Sequence, residues 1–189
     1  MIRSLLTALA FGAVMVAQAP AMAKDFLAIE LKSGTVKIEL MEDIAPKHVA
    51  QIKAIAEKGG YDGVGFHRVI EGFMAQTGDV EHGKIGADGG VSPRAGTGGS
   101  DLPDIPAEFS NVPFDRGMVG MARSQNPNSA NSQFFIMFAD GHFLNNQYTV
   151  FGKVVEGMQH VDNIKLGSRA DNGSVAQPDQ MISVKVISE

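Results

Sequence analysis

Short stretches in which apolar and polar residues alternate cover much of this chain, a pattern typical of half-buried β-strands. The alternation is clear from Leu27 to Leu31 and again from Val36 to Leu40, with turn-forming residues at 32–35 between them. We therefore predict a β-hairpin at the start of the folded chain. Six further segments have strand character: residues 65–70, 73–77, 117–122, 133–138, 150–155 and 181–187.

Two segments have helical periodicity instead. Apolar residues recur every three to four positions from Val49 to Ala56, after Pro46 at a position that suits a first helical turn and before the paired glycines at 59–60. A shorter pattern over residues 158–164 predicts a second helix. Because eight short strands leave no edge unpaired when their sheet closes, we predict a closed eight-stranded barrel with a packed interior and a ligand site on its outer wall.

The amino-terminal segment is predicted to lie outside the fold. Arg3 precedes an apolar run from Leu5 to Ala17, and residues 21–23 (Ala-Met-Ala) offer the small residues that a signal peptidase recognises. A buried helix or a membrane anchor is the alternative, but a spanning helix needs about 20 apolar residues. We therefore predict that residues 1–23 are a signal peptide and that residues 24–189 form one exported domain without a membrane span.

Composition restricts the chemistry that this domain can perform. The sequence has 189 residues, of which 44% are hydrophobic, and 16 Lys+Arg against 21 Asp+Glu give a net charge of −5, which argues against nucleic acid as a partner. The absence of cysteine excludes disulfides, thiolate nucleophiles and cysteine metal sites. The five histidines are scattered without a metal-binding spacing, so we expect no metal ion and no other cofactor.

A long glycine-rich segment, Val80–Pro113, is predicted to be an irregular loop. Loops of this length in compact domains are usually functional or mobile, which makes this one a candidate border of the binding site. Gly96–Gly99 resembles a phosphate-binding loop, but no Lys-Ser/Thr pair follows it and no strand-to-helix turn surrounds it. We therefore do not expect a nucleotide site.

Three clusters carry more chemical information, and the first is Phe66–Asp79. Strand alternation places Arg68 on the same face as Phe66 and Ile70 and places His67 on the opposite face. An arginine considered alone is more often part of a weak surface ion pair than of a functional site.

The residues that follow Arg68 favour a binding role. Phe73, Met74 and Gln76 supply an aromatic ring, a pliable thioether and an amide, which together suit an apolar pocket with a few polar contacts.

The second cluster is Gly120–Ile136, in which an Asn- and Ser-rich loop precedes a strand. Phe134 and Phe135 must face opposite sides of that strand, so one can fill the core while the other faces outward. The third cluster is Phe143–Gly152, where aromatic and aliphatic residues precede another strand. Each of these clusters alone would indicate core packing.

In this order, the three clusters resemble the signature blocks of the cyclophilin family of peptidyl-prolyl cis-trans isomerases. The matching segments are Phe66–Ile70, Gly72–Met74 with Gln76, Ser132–Ile136 and Val150–Val154. The resemblance extends from about Leu27 to Ile187 and, with the predicted signal peptide, is closest to the periplasmic cyclophilins of Gram-negative bacteria. It implies a mainly β fold, a closed eight-stranded antiparallel β-barrel capped by two α-helices.

The resemblance also implies a role for each matching residue. On the family pattern, the catalytic arginine is Arg68. The proline pocket is lined by Phe73, Met74, Phe135 and Leu144. The peptide is held by Gln76 and by the backbone around Ala122 and Arg123. The rim is completed by His67, Gln133, Phe143 and Tyr148. The implied partners are proline-containing segments of unfolded or exported proteins, and we expect a periplasmic monomer.

The implied reaction suits an arginine. Rotation about an X-Pro bond breaks amide resonance against a barrier near 20 kcal/mol, and the nitrogen lone pair becomes a hydrogen-bond acceptor only in the twisted state. A fixed guanidinium beside that nitrogen therefore stabilises the transition state selectively, without a nucleophile or a covalent intermediate.

The chain departs from the family pattern at several positions. Glu71 stands where many cyclophilins have proline, and Thr77 where many have glycine. Phe143 occupies a position where many eukaryotic members carry tryptophan, and Tyr148 one where they carry histidine. Because the indole N–H is missing from the rim, we expect weak binding of the immunosuppressant cyclosporin.

Other functions compete with isomerisation at this point. A non-catalytic binding module for proline-containing segments would use the same pocket and would lack only turnover. A structural envelope protein would show no competition between a prolyl peptide and any other ligand at the pocket. A metal-dependent hydrolase would need clustered ligands. A glycosidase would need paired carboxylates, whereas Asp101, Asp104 and Glu108 indicate a solvated loop.

Overall fold

The structure is a computed structural model, and it describes residues 23–189. The predicted signal peptide, residues 1–23, therefore lies outside the described residues except for its last position. The described part contains eight strands and two α-helices, in the predicted numbers. Their bounds are β1 Asp25–Leu31, β2 Gly34–Leu40, α1 Pro46–Glu57, β3 Arg68–Ile70, β4 Met74–Thr77, β5 Met118–Met121, β6 Phe134–Met137, β7 Val150–Glu156, α2 Met158–Asp162 and β8 Ser183–Ser188, with a 3₁₀ turn at His142–Leu144.

The strands form one curled antiparallel sheet in the order β3-β4-β6-β5-β7-β2-β1-β8. The sheet is open, so the predicted closed barrel is wrong. Within residues 23–189 no ladder joins β3 to β8. The reason lies in β3, which has only three residues. At the β3 edge the sheet is met by the segment before β8 and not by β8 itself. The contacts are the isolated bridges Gly65–Gln180 and Arg68–Ser174.

Two apolar clusters lie on opposite faces of the sheet. The interior core includes Leu27, Ile38, Phe134 and Phe151, each fully buried. A second group, here the outer cluster, consists of Met74, Phe114, Met118, Phe135, Met137, Leu144 and Val150. The alternation along β6 therefore places Phe134 and Phe135 on opposite faces, as predicted.

The predicted face of Phe66 is wrong. Phe66 belongs to the interior core together with Val69, whereas Ile70 packs against the outer cluster. Because β3 begins only at Arg68, strand alternation does not extend back to residue 66. Arg68 thus projects from the outer face without Phe66 beside it.

Candidate active site

An open cleft of about 430 Å³ lies over the outer cluster. Its walls come from β3, β4, β6, the end of β5 and the 3₁₀ turn. The lining residues are Arg68, Phe73, Met74, Gln76, Ala122, Arg123, Phe135, Phe143, Leu144, Gln147 and Tyr148. All predicted site residues except His67 and Gln133 therefore line one cleft.

Strand register explains why these residues meet. In the β3–β4 ladder Arg68 lies opposite Gln76, and in the β4–β6 ladder Gln76 lies opposite Phe135. Directly opposed residues project from the same face of an antiparallel pair, so a cation, an amide and an aromatic ring form one row across three strands. Met74, opposite Ile70, lies two positions from Gln76 on the same face.

The Arg68 guanidinium is held by neutral acceptors. Its Nε donates to the carbonyl of Asn172 and its Nη2 donates to Asn172 Oδ1, both at 3.0 Å. Its Nη1 donates to Gln76 Oε1 at 3.2 Å and lies 3.9 Å from Met74 Sδ. The side chain is half-buried, and this burial lowers the pKa of the Arg68 guanidinium from its ordinary value. The charge is therefore oriented without being neutralised.

Asn172 is a site residue that the sequence did not reveal. It has a φ of 53°, a left-handed conformation that asparagine tolerates better than most residues, and this turn directs both of its oxygens at Arg68. The Asn172-Gly173 pair is a turn signal in the sequence. Nothing in that signal links it to an arginine 104 positions earlier.

Gln133 lies behind Gln76 and not in the cleft wall. Gln76 Nε2 donates to Gln133 Oε1 at 3.0 Å, and Gln133 Nε2 donates to the carbonyl of Gly98 at 2.8 Å. Gln133 lines an adjoining polar cavity of about 530 Å³, which shares Gln76, Ala122 and Arg123 with the cleft. The two amides therefore connect the cleft to the glycine-rich loop.

The glycine-rich loop borders this adjoining cavity through residues 96–100. Asp79, which is fully buried, accepts hydrogen bonds from the backbone N–H groups of His82, Gly96 and Gly98 at 2.7–3.0 Å. One carboxylate thus pairs backbone donors that would otherwise be buried without a partner. The loop is in this way fixed beside the site.

His67 lies away from the rim that the family pattern implied for it. Its side chain is buried on the side opposite Arg68 and packs against Gly96. Burial lowers its pKa, and the nearby Asp79 carboxylate opposes that shift. Among residues 23–189, neither ring nitrogen has a hydrogen-bond partner. Its contacts therefore support the loop and not a ligand in the cleft.

The far rim of the cleft is organised by Arg123. Its guanidinium lies 4.4 Å from the centroid of the Tyr148 ring, a cation–π distance. Nε and Nη2 donate to the carbonyl of Gln147 at 3.2 and 2.7 Å, and Nη1 donates to the carbonyl of Ser124 at 2.8 Å. Gln147, which sequence reasoning missed, also donates from Nε2 to the carbonyl of Phe143 at 2.8 Å.

One group of possible metal ligands lies outside the cleft and contains a single histidine. Ligand atoms of Asp115, Asp140 and His142 lie within 4.8 Å of one another, on exposed side chains outside the cleft lining. His142 Nε2 lies 2.7 Å from Asp115 Oδ1, so a hydrogen bond accounts for that contact. No spacing signal in the sequence links Asp115 to His142, because the two residues are 27 positions apart.

The described residues thus hold Arg68 beside an apolar hollow on the outer wall of a curled eight-stranded sheet. The family model described as cyclophilin type peptidyl-prolyl cis-trans isomerase/CLD matches residues 26–186. The chain therefore belongs to the cyclophilin family, and its enzyme class is peptidyl-prolyl cis-trans isomerase, EC 5.2.1.8.

Similar proteins agree with this assignment. A Brucella suis protein named "Probable peptidyl-prolyl cis-trans isomerase" is 60% identical over 98% of this chain and 96% of its own length. A peptidyl-prolyl cis-trans isomerase of Acinetobacter baylyi is 34% identical over 95% of this chain and 94% of its own.

Solved structures of cyclophilins share the fold. A Cryptosporidium parvum cyclophilin crystallised in the presence of the dipeptide Ala-Pro has a TM-score of 0.72 and 26% identity, over 87% of this chain and 99% of that one. The cyclophilin AquaCyp293 of Hirschia baltica has a TM-score of 0.69 and 28% identity, over 84% and 72%. Within residues 23–189, no helix combines the length and apolarity that crossing a membrane would require.

Proposed function

We propose that Arg68 accelerates rotation about X-Pro bonds by donating a hydrogen bond to the proline nitrogen in the twisted transition state, while the apolar part of the cleft holds the proline ring. The planar ground state offers almost no acceptor at that nitrogen, so the hydrogen bond is gained only on the way to the transition state. The reaction needs no bond to the enzyme, and no covalent intermediate forms.

The single observation that carries this proposal is the anchoring of Arg68 by neutral groups beside Phe73, Met74, Phe135 and Leu144. Arginine has five N–H donors, and the acceptors on Asn172 and Gln76 occupy three of them. At least one donor therefore remains for a substrate. Because the guanidinium is already oriented, little reorganisation is required when the bond twists.

Replacement of Arg68 tests the proposal. We expect Arg68→Ala to lower kcat/KM at least about tenfold, equivalent to roughly 1.4 kcal/mol of transition-state stabilisation, with an unchanged fold. The measurement is a protease-coupled or NMR exchange assay on an Ala-Pro peptide, with circular dichroism as the folding check. Arg68→Lys keeps the charge and loses the planar fork, so its kcat/KM should lie between those of the parent and of Arg68→Ala. Near-parental turnover by Arg68→Ala would refute the proposed role.

We further propose that the enzyme assists the folding of exported proteins in the periplasm, where unfolded X-Pro segments are available. The support is the predicted signal peptide at residues 1–23. Mass spectrometry of the protein from the periplasmic fraction should give an amino terminus at Lys24 and, under native conditions, the mass of a monomer. A cytoplasmic protein that starts at Met1 would contradict this localisation.

Weak binding of cyclosporin is also proposed, on the ground of Phe143. Its ring is 66% exposed, packs against Phe73 at 5.5 Å between centroids and has no N–H to donate. We expect Phe143→Trp to tighten cyclosporin binding in a calorimetric titration, because the indole restores one donor at the rim. Equal affinities of parent and variant would count against this explanation.

A further inference from the structure

Two positive charges in the cleft lack a negative partner, although the protein as a whole has a net charge of −5. The acceptors of Arg68 and Arg123 are carbonyl or amide oxygens and a thioether, and within residues 23–189 neither guanidinium forms a salt bridge. By contrast, Arg116 and Arg169 each pair with a carboxylate at the surface. The cleft therefore offers uncompensated positive charge to whatever binds there.

Arg123 has the position and the rigidity to act on a peptide. It lines both the cleft and the adjoining cavity, so a chain that extends from one to the other must pass it. The Tyr148 ring and the carbonyls of Gln147 and Ser124 fix the guanidinium, so little side-chain entropy remains to be lost when an anion approaches. Carbonyl oxygens of Gln147, Ser124 and Gln125 occupy four of its five N–H donors, so one donor remains to meet a carboxylate.

The surrounding charges favour an acid close to the proline. The residues lining the cleft include no Asp or Glu. In the adjoining cavity Asp104 is the only lining carboxylate, and its Oδ1 accepts a hydrogen bond from Asn131 Nδ2 at 3.0 Å. An acidic side chain would therefore be attracted at the border formed by Arg123 and repelled by Asp104 in the adjoining cavity.

We propose that Arg123 is a specificity-determining residue that favours substrates with Asp or Glu within two residues of the isomerised proline. This inference rests on the proposed function, because it concerns the same cleft. One peptide residue spans at most about 3.6 Å, so a side chain one or two positions from a proline in the cleft reaches its border. Since the contact is partly open to solvent, the preference is modest, about two- to fivefold in kcat/KM.

The test uses N-acetylated, C-amidated peptides, so that the tested side chain is the only ionisable group. Glu, Gln and Lys are placed in turn at each of the two positions before and after a central proline, and kcat/KM is measured by NMR exchange. We expect at least one position at which Glu exceeds Gln about two- to fivefold and Lys lies below Gln. Half-molar salt should reduce this ratio, because the Debye length is then only about 4 Å.

Three variants assign the preference to Arg123. In Arg123→Gln the ratio of kcat/KM for the Glu peptide to that for the Gln peptide should approach one. Arg123→Lys should retain part of the preference for Glu. Lys185→Gln removes the same charge from an exposed position on β8 and should keep the parental ratio. If Arg123→Gln does not fold, the parental ratios and the Arg123→Lys variant still decide the question.

The outcomes separate this inference from the proposed function. If the parent turns over Gln peptides but shows no preference for Glu at any position, charge selection is wrong and isomerisation stands. A preference that survives in Arg123→Gln also overturns the role of Arg123. If no peptide is turned over at all, the proposed function fails first, and the inference fails with it.

Discussion

Neutral acceptors are a physical necessity around Arg68 if its charge is to act on a substrate. A carboxylate partner would hold the guanidinium more strongly, but it would compete with the weakly basic proline nitrogen for the same donors. The two oxygens of Asn172 and the amide of Gln76 orient the group while leaving its charge available. If Arg68 acts as proposed, loss of a positioning group should therefore lower the rate as well.

A substitution at Asn172 tests whether orientation of Arg68 matters for the rate, with little effect on the backbone. Glycine adopts a φ near 53° without strain, so Asn172→Gly keeps the carbonyl acceptor and removes only Oδ1. We expect kcat/KM to fall about three- to tenfold, mainly through kcat, because Arg68 is less well oriented in the transition state. The free energy of unfolding, measured in urea, should change by less than about 0.5 kcal/mol.

The matched control is Asn146, the other asparagine with positive φ in the described chain, at 59°. It is exposed and lies outside the cleft lining. Asn146→Gly should therefore leave kcat/KM close to the parental value. If Asn172→Gly also keeps parental kcat/KM, its side chain does not position Arg68.

Individual elements were predictable wherever the chain itself repeats a pattern. The β1–β2 hairpin was found because its buried residues alternate strictly, and the α1 helix because its apolar residues recur on one face. The open edge of the sheet was not predictable in the same way, since Arg68 of β3 pairs through an isolated bridge with Ser174, in a segment lacking strand alternation. Contacts between distant irregular segments leave no periodic signal in either one.

The same limit applies to the candidate site. Its strand-borne residues Arg68, Gln76 and Phe135 follow from alternation and register, and all three line the cleft. Gln147 and Asn172, by contrast, act from turns whose spatial neighbours depend on the whole fold. A turn signal predicts local geometry only, so these two were missed.

The α1 helix is capped by a residue from a distant loop. Ala45 precedes the helix and has no side-chain acceptor for the first N–H groups. Glu108 supplies it instead: its carboxylate accepts from the N–H groups of Lys47 and His48 at 3.1–3.2 Å and from His48 Nδ1 at 2.7 Å. The prediction of a solvated loop is thus wrong at Glu108, whose side chain is only 15% exposed.

Removal of this cap should affect stability and not catalysis. We expect Glu108→Ala to lower the free energy of unfolding by about 1–3 kcal/mol, because two helix donors and a buried imidazole lose their acceptor. Urea denaturation measures this loss, and kcat/KM should stay parental because Glu108 is outside the cleft lining. Glu57→Ala, at the exposed carboxyl end of the same helix, is the control and should change stability by less than about 0.5 kcal/mol. Equal effects of the two variants would show that Glu108 is not a cap.

At the scale of the whole molecule, the two faces of one sheet differ in role: the inner face contributes the core, and the outer face carries the cleft. Its inner face packs against α1 in a core of fully buried side chains, and its outer face carries the smaller outer cluster beneath the open cleft. Several buried or partly buried titratable groups with shifted pKa values lie outside the cleft, among them His48, Tyr61, His67 and Glu108. The pH dependence of stability should therefore differ from that of activity.

The sign of each contribution follows from the direction of its pKa shift. Burial lowers the pKa values of His48 and His67 below 6.5, so the unfolded chain takes up these protons first and stability falls below about pH 6.5. Burial would raise the pKa of Glu108, but hydrogen bonds from His48 and Lys47 outweigh it and lower the pKa below 4.5, so further stability is lost below that pH. Burial raises the pKa of Tyr61 well above 10.0, so stability falls above about pH 10 as the unfolded tyrosine ionises.

We therefore expect the free energy of unfolding to be flat between about pH 7 and 9 and to fall on both sides, by up to about 1.4 kcal/mol per pH unit for each contributing group. Urea denaturation from pH 4 to 11 measures this profile. In Tyr61→Phe the fall above pH 10 should become shallower while the acid side stays parental. That variant loses the hydrogen bond from Tyr61 Oη to the carbonyl of Ser132, 2.9 Å long, which should cost about 1 kcal/mol at neutral pH. An alkaline side as steep in Tyr61→Phe as in the parent would mean that ionisation of this buried phenol does not limit the stability of the fold.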